Sequence, residues 1–173
     1  SEEPLLSGKM GAAYVRGVQS QGIGATPKHF AANTKEDGRQ TVDTVATARA
    51  LREIYLKSFE ITVKEGNPWS IMTSYNKING VETAERSDLL NGILREEWGF
   101  HGLVMTDWSN DSDETLEKKA GCDLNCHGLP PKAGATVIIE SVNNQTLSRK
   151  VLEQAGKNIL EFTMHFTGKE ENQ

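Results

Sequence analysis

Cysteine is scarce. The chain has two, Cys122 and Cys126, four residues apart, which is not the repeated spacing of a disulfide-stapled scaffold. Basic clusters are missing too: no run of Lys or Arg exceeds two residues and the net charge is -5, so there is no electrostatic footprint for phosphate backbones. Nucleic acid is not an expected partner. No apolar stretch approaches the roughly 20 residues of a membrane-spanning helix, and no membrane role is expected. Internal repeats, low-complexity tracts, a charged-then-apolar leader and a lipidation signal are also lacking; the opening Ser1-Glu2-Glu3-Pro4 reads as a processed or truncated N-terminus. What is present, 36% hydrophobic and 25% charged residues in a chain of 173, is the composition of a soluble globular protein. That is one domain's worth of sequence, short of the about 250 residues of a closed eight-stranded barrel.

Helices and short strands alternate along the chain. Leu6, Met10, Ala13, Tyr14 and Val18 fall at helical spacing, with Gly22 placed to end the helix. A strand is expected over Gly24–Phe30, with Pro27 near its end because proline cannot donate to a ladder. The polar run from Asn33 to Thr44 is long for a connection and reads as a loop near a site. Ala48, Leu51, Tyr55, Phe59 and Thr62 trace a second helix, stopped by Gly66-Asn67-Pro68. Trp69–Tyr75 forms the next strand, and Asn79-Gly80 marks a turn. A third helix spans Asp88–Trp98 with Leu90, Ile93 and Leu94 inward, Ser87 as N-cap and Gly99 as C-cap. Gly102–Asp107 is the clearest strand. Ser112 caps a short helix to Ala120, Cys122–Leu124 is a last brief strand, and Pro130-Pro131 breaks the pattern. Two helices come after it, Ala135–Val142 and one from an N-cap Ser148 with Val151, Ala155, Ile159, Phe162 and Phe166 on one side. This order reads as α/β with a parallel sheet of β-α units. No glycine-rich phosphate turn succeeds the first strand, which favours a barrel over a doubly wound sheet.

In a barrel the carboxyl ends of the strands line the active site, and three strands here end in Lys28-His29, Ser74-Tyr75 and Asp107-Trp108. Asp107 followed by Trp108 suits a carboxylate nucleophile beside a ring that covers the apolar face of a sugar. The same spacing also fits a helix-capping aspartate and a core tryptophan. Lys28 and His29 supply adjacent donors for sugar hydroxyls, although strand alternation would point one of them away. Tyr75 is read either as a donor in that site or as a buried tyrosine with one satisfied hydroxyl. Cys122, Cys126 and His127 fall short of the four ligands of a structural zinc, so no metal and no cofactor is expected. Lys28 as a Schiff-base lysine is a further alternative.

Five segments in order resemble glycoside hydrolase family 3 beta-glucosidases: Leu5–Met10, Lys28–Asn33, Arg49–Tyr55, Met72–Gly80 and Leu94–Trp108. The resemblance covers residues 5 to about 128. It implies a partial TIM-type (β/α) barrel over residues 1–168 with a polar tail at 169–173, in which Asp107 is the nucleophile, Lys28 and His29 bind hydroxyls of the non-reducing glycosyl unit, and Tyr75 and Trp108 line that subsite. The substrate it implies is a beta-glucoside or oligosaccharide. Asn33-Thr34-Lys35-Glu36-Asp37 lacks the His-Asp pair of the N-acetylglucosaminidase type, which favours the glucosidase branch. Two segments depart from the pattern: Thr34-Lys35-Glu36 stands where typical members have Asn-Gln-Glu, and Asp123-Leu124-Asn125-Cys126-His127-Gly128 where they have Asp-Leu-Glu-Met-Pro-Gly. The family's upstream sugar-binding residues and the acid/base glutamate of its following α/β sandwich are not in this chain. Glu36 and Asp37 are read as a solvated charge cluster. Open strand edges then imply a homo-oligomer, or a complementing barrel and α/β-sandwich portion.

Overall fold

The computed structural model describes residues 1–126 and 132–167. Helix α1 (Pro4–Gln19) starts where Glu3 accepts hydrogen bonds from the backbone N–H of Leu5 and Leu6, with Pro4 in the first turn. Its buried residues are Gly8, Ala12 and Val15; Met10, Ala13 and Tyr14 face outward, contrary to the expected face. The reason is close helix-helix contact. A Cβ on Gly8 would lie 2.7 Å from Ile61 Cβ, and one on Gly11 2.6 Å from Thr62 Oγ1, so only the smallest residues fit there.

The second helical stretch runs as α2 (Ala48–Ala50), a π-helical turn Leu51–Tyr55 and α3 (Lys57–Gly66), closed by Asn67 in the left-handed conformation. The π turn, in which Leu56 N–H donates to Leu51 O at 2.8 Å, inserts a residue and rotates the helix beyond it. Leu56, Ile61, Thr62 and Val63 become the buried side, whereas Leu51, Tyr55 and Phe59 are only half-buried and Ala48 is exposed.

Strand β2 (Ser70–Met72) pairs in parallel with β5 (Leu103–Met105), in the register Ser70↔Leu103 and Met72↔Met105. Two further segments flank them through single parallel bridges, Phe30↔Thr73 and Met105↔Leu124. Four neighbouring parallel segments therefore lie in chain order. The expected strands Gly24–Phe30 and Cys122–Leu124 reduce to these bridges. Pro27 fits because only its carbonyl is used, accepting from Met72 N–H at 3.2 Å. The peptide bonds Lys28–His29 and Phe30–Ala31 are cis. The described strands do not close into a barrel.

A second small sheet falls outside the expected pattern. β1 (Asp43–Thr44) pairs in parallel with β3 (Lys77–Ile78), which forms an antiparallel hairpin with β4 (Val81–Glu82). Asn79 and Gly80 both take positive φ at its turn, as a two-residue hairpin of this kind demands. A π-helix over Asp88–Glu97 buries Leu89, Leu90 and Leu94, with Ile93 half-buried. Ser87 sits at its start, but its hydroxyl accepts from Asn91 Nδ2 instead of capping. Helix α4 (Glu114–Ala120) is capped by Asp113, not by Ser112. Helices α5 (Lys132–Asn143) and α6 (Arg149–Thr167) complete the described chain. Phe30, Ile71 and Val104 from adjacent parallel segments meet Leu56, Leu90, Leu94 and Trp98 in one core, with Phe30 edge-on to Phe59 at 5.1 Å and to Trp98 at 5.9 Å. No helix among the described residues is long and apolar enough to cross a membrane. The polar tail 169–173 lies outside the described residues.

Candidate active site

Register brings three chain segments to one place. Phe30 bridges Thr73, two residues before Tyr75, and Met72 pairs with Met105, two residues before Asp107. Tyr75 and Asp107 therefore stand at adjacent carboxyl ends, and His29, one residue before the Phe30 bridge, reaches Asp107 through its side chain. Asp107 is buried, 5% exposed, and each carboxylate oxygen has a nitrogen beside it: Trp108 N–H donates to Oδ1 at 2.8 Å and His29 Nε2 lies 3.3 Å from Oδ2. An imidazole nitrogen facing a carboxylate oxygen carries the proton. Burial, the largest influence, lowers the His29 pKa below its ordinary value; Asp107 opposes that, while Lys28 and Arg39 add to it. Tyr75 Oη donates to Trp108 O at 2.5 Å, and its phenol is held above the usual range by burial first and by the charge of Asp107 second. Asp107 is thus surrounded by proton-bearing groups.

Lys28 and His29 both line a cavity of about 610 Å³ together with Asn33, Thr34, Tyr55 and Phe59, whereas Asp107, Tyr75 and Trp108 do not line it. Lys28 is exposed and makes no hydrogen bond or ion pair among the described residues. Trp108 is 61% exposed, leaving its indole open beside Asp107. Of the five residues singled out in the sequence, Tyr75, Asp107 and Trp108 follow the paired residues of their strands, and Lys28 and His29 immediately precede the Phe30 bridge.

Other neighbours were not legible. The guanidinium of Arg39, from the long polar loop, lies 5.2 Å from the centre of the Tyr75 ring, and it pairs with Glu36 at 2.6 Å. The only signal for it was the length of that loop. Cys126 stands near enough for Asp107 to help burial raise its thiol pKa. Cys122 is fully buried, both thiols are free, and His127 lies outside the described residues. Among the described residues no group of three His, Cys, Asp or Glu is placed to hold a metal ion.

An open arc of parallel segments, presenting a buried carboxylate with an imidazole, a phenol and an open indole around it, is of the class of α/β proteins that work at strand ends. Residues 1–162 match the Glycosyl hydrolase family 3 N terminal domain, and the chain belongs to that family. It is 43% identical to the thermostable beta-glucosidase B of Acetivibrio thermocellus, covering 99% of this chain and 23% of that protein. It is 48% identical to beta-glucosidase A of Butyrivibrio fibrisolvens, covering 89% and 18%. The solved structure of beta-glucosidase 3B from Thermotoga neapolitana in complex with glycerol superposes with a TM-score of 0.90 at 45% identity, over 95% of this chain and 24% of that one. The chain thus spans about a quarter or less of the length of these relatives.

Proposed function

We propose that this chain is part of a TIM-type (β/α) barrel and supplies the nucleophile of a retaining beta-glucosidase, with residues 1–168 as one structural unit of a larger enzyme. The observation that carries the reading is the buried Asp107 carboxylate, held by Trp108 N–H and His29 at the end of β5 with Tyr75 alongside. In this reading Asp107 attacks the anomeric carbon of a terminal beta-D-glucosyl residue, the glycosidic bond breaks, and the sugar is left as an ester on Asp107. The departing oxygen takes a proton from an acid, and water then cleaves the ester. Lys28 and His29 bind sugar hydroxyls, Tyr75 donates beside the nucleophile, and the indole of Trp108 covers the C–H face of the ring.

Retaining enzymes hold their two carboxyl groups about 5–5.5 Å apart. Glu36 and Asp37 of the long polar loop are both exposed, and the Glu36 carboxylate is engaged by Arg39 at 2.6 Å. The chain by itself is therefore expected to form the glycosyl ester slowly and to turn over aryl glucosides hardly at all. Mass spectrometry after treatment with a 2-deoxy-2-fluoro glucoside, with and without complementing fragments, tests this. A glucosyl adduct on Asp107 supports the reading, and one on any other residue overturns it.

A non-catalytic sugar-binding fragment is the second reading, favoured by the exposed Trp108; it requires glucose to change tryptophan fluorescence while no adduct forms. Lys28 chemistry with carbonyl substrates is not favoured, since the amine stands exposed, and borohydride trapping is expected to yield no adduct.

A further inference from the structure

We propose that Glu117 is a positioning residue, which locks the two segments flanking Asp107 into one wall of the sugar site; the assignment rests on the reading of Asp107 given above. Glu117 belongs to α4, yet its side chain is wholly buried, an uncommon place for a glutamate unless polar partners meet it. They do. Oε1 accepts from Asn110 Nδ2 at 2.6 Å and from Ser112 Oγ, and Oε2 accepts from Asn125 Nδ2. Asn110 and Ser112 lie on the loop leaving Asp107, and Asn125 on the segment leaving Leu124.

The same two segments are also joined directly to each other. Thr106 N–H donates to Leu124 O at 3.0 Å, Cys126 N–H to Thr106 Oγ1 at 2.8 Å, and Ser109 N–H to Cys126 O at 3.0 Å. The segment that carries Asp107 is thus joined to its neighbour both by these direct bonds and through the Glu117 carboxylate. An apolar residue would fill the interior face of α4 equally well, but it would remove the acceptor of Asn110, Ser112 and Asn125 and leave the two segments joined by the direct bonds alone. A carboxylate at 125 would face that of Glu117. The amide at 125 and the acid at 117 form a matched donor and acceptor.

Cys126 reports on that wall, being half-buried beside Asp107 while Cys122 is sealed in the core. The experiment is the rate at which a disulfide reagent labels Cys126 in the full chain under alkaline conditions, with unlabelled Cys122 confirming a folded interior. Asn125→Asp opposes two carboxylates and is expected to raise the rate severalfold. Glu117→Gln turns a donor toward Asn125 and raises it less. The double variant restores one donor and one acceptor at that contact and is expected to return the rate close to that of the unmodified chain. Asn110→Ala removes one donor and decides the matter, together with the double variant, if Glu117→Gln fails to fold. Equal rates in every folded variant, or a double variant no slower than Asn125→Asp, would overturn the proposal. The fluoroglucoside adduct reads Asp107 alone, so either idea can fail while the other stands.

Discussion

His29 is set between opposed influences, and their sizes order its behaviour. Burial and the cations Lys28 and Arg39 favour the neutral ring, and Asp107 favours the charged one. Asp107→Asn should therefore lower the His29 pKa further, and Arg39→Ala should raise it; both are read from imidazole proton shifts in an NMR titration. The same shift couples pH to stability. Because the folded-state value lies below the ordinary 6.5, the unfolded chain binds more protons as pH falls through and below that value, and stability is lost until the folded ring is protonated as well. His29→Gln is expected to flatten that decline in denaturant titrations, and an unaltered slope would show that His29 is not its source. At this scale the sequence was informative because strand ends announce themselves: an apolar run stops at Asp107, Tyr75 or His29. Arg39 and Cys126 reach the same place from irregular loops, where no periodicity says which way a side chain turns.

Helices were legible as helices and much less so by face. The apolar stripe of α1 ran through Met10 and Tyr14, but the helix docks by its glycines, and a rule that looks for large apolar residues misses a contact made by their lack. The π turn at Leu51–Tyr55 moved the buried side of the following helix for a similar reason, since apolar spacing assumes a constant turn. The glycines of α1 make the docking testable. Ala gains about 0.5–1 kcal/mol over Gly from helix propensity alone. At Gly17, where nothing lies within 4 Å of an added Cβ, that gain should appear in full. At Gly8 the new methyl meets the Cβ of Ile61, a branched position that cannot swing aside, and overpacking costs about 1–3 kcal/mol. The second effect wins. Thermal unfolding should rank Gly17→Ala above the parent chain and Gly8→Ala below it, and a stabilised Gly8→Ala would mean that α1 and α3 are not packed this closely.

For the molecule as a whole, the parallel arc stops at both ends. Among the described residues Phe30 bridges only Thr73, and Leu124 only Met105. Next to the first of these edges, α1 turns Leu5, Leu6, Met10 and Tyr14 outward, Tyr14 being 73% exposed, and Ile23 adds to them. Met10, Tyr14 and Val18 also line a cavity of about 610 Å³ that continues along Gly24–Lys28. An open strand edge beside an apolar helix face favours association, whether with a second copy or with a complementing barrel portion. Sedimentation of the isolated chain at micromolar concentration should show species larger than a monomer. Because Met10 and Tyr14 touch solvent instead of the core, Met10→Lys with Tyr14→Lys should shift the distribution toward monomer while leaving the unfolding temperature nearly unchanged. Edge pairing through Ala25–Phe30 alone would respond differently: the double variant would associate as the parent does, and the helix face would have no part in the contact.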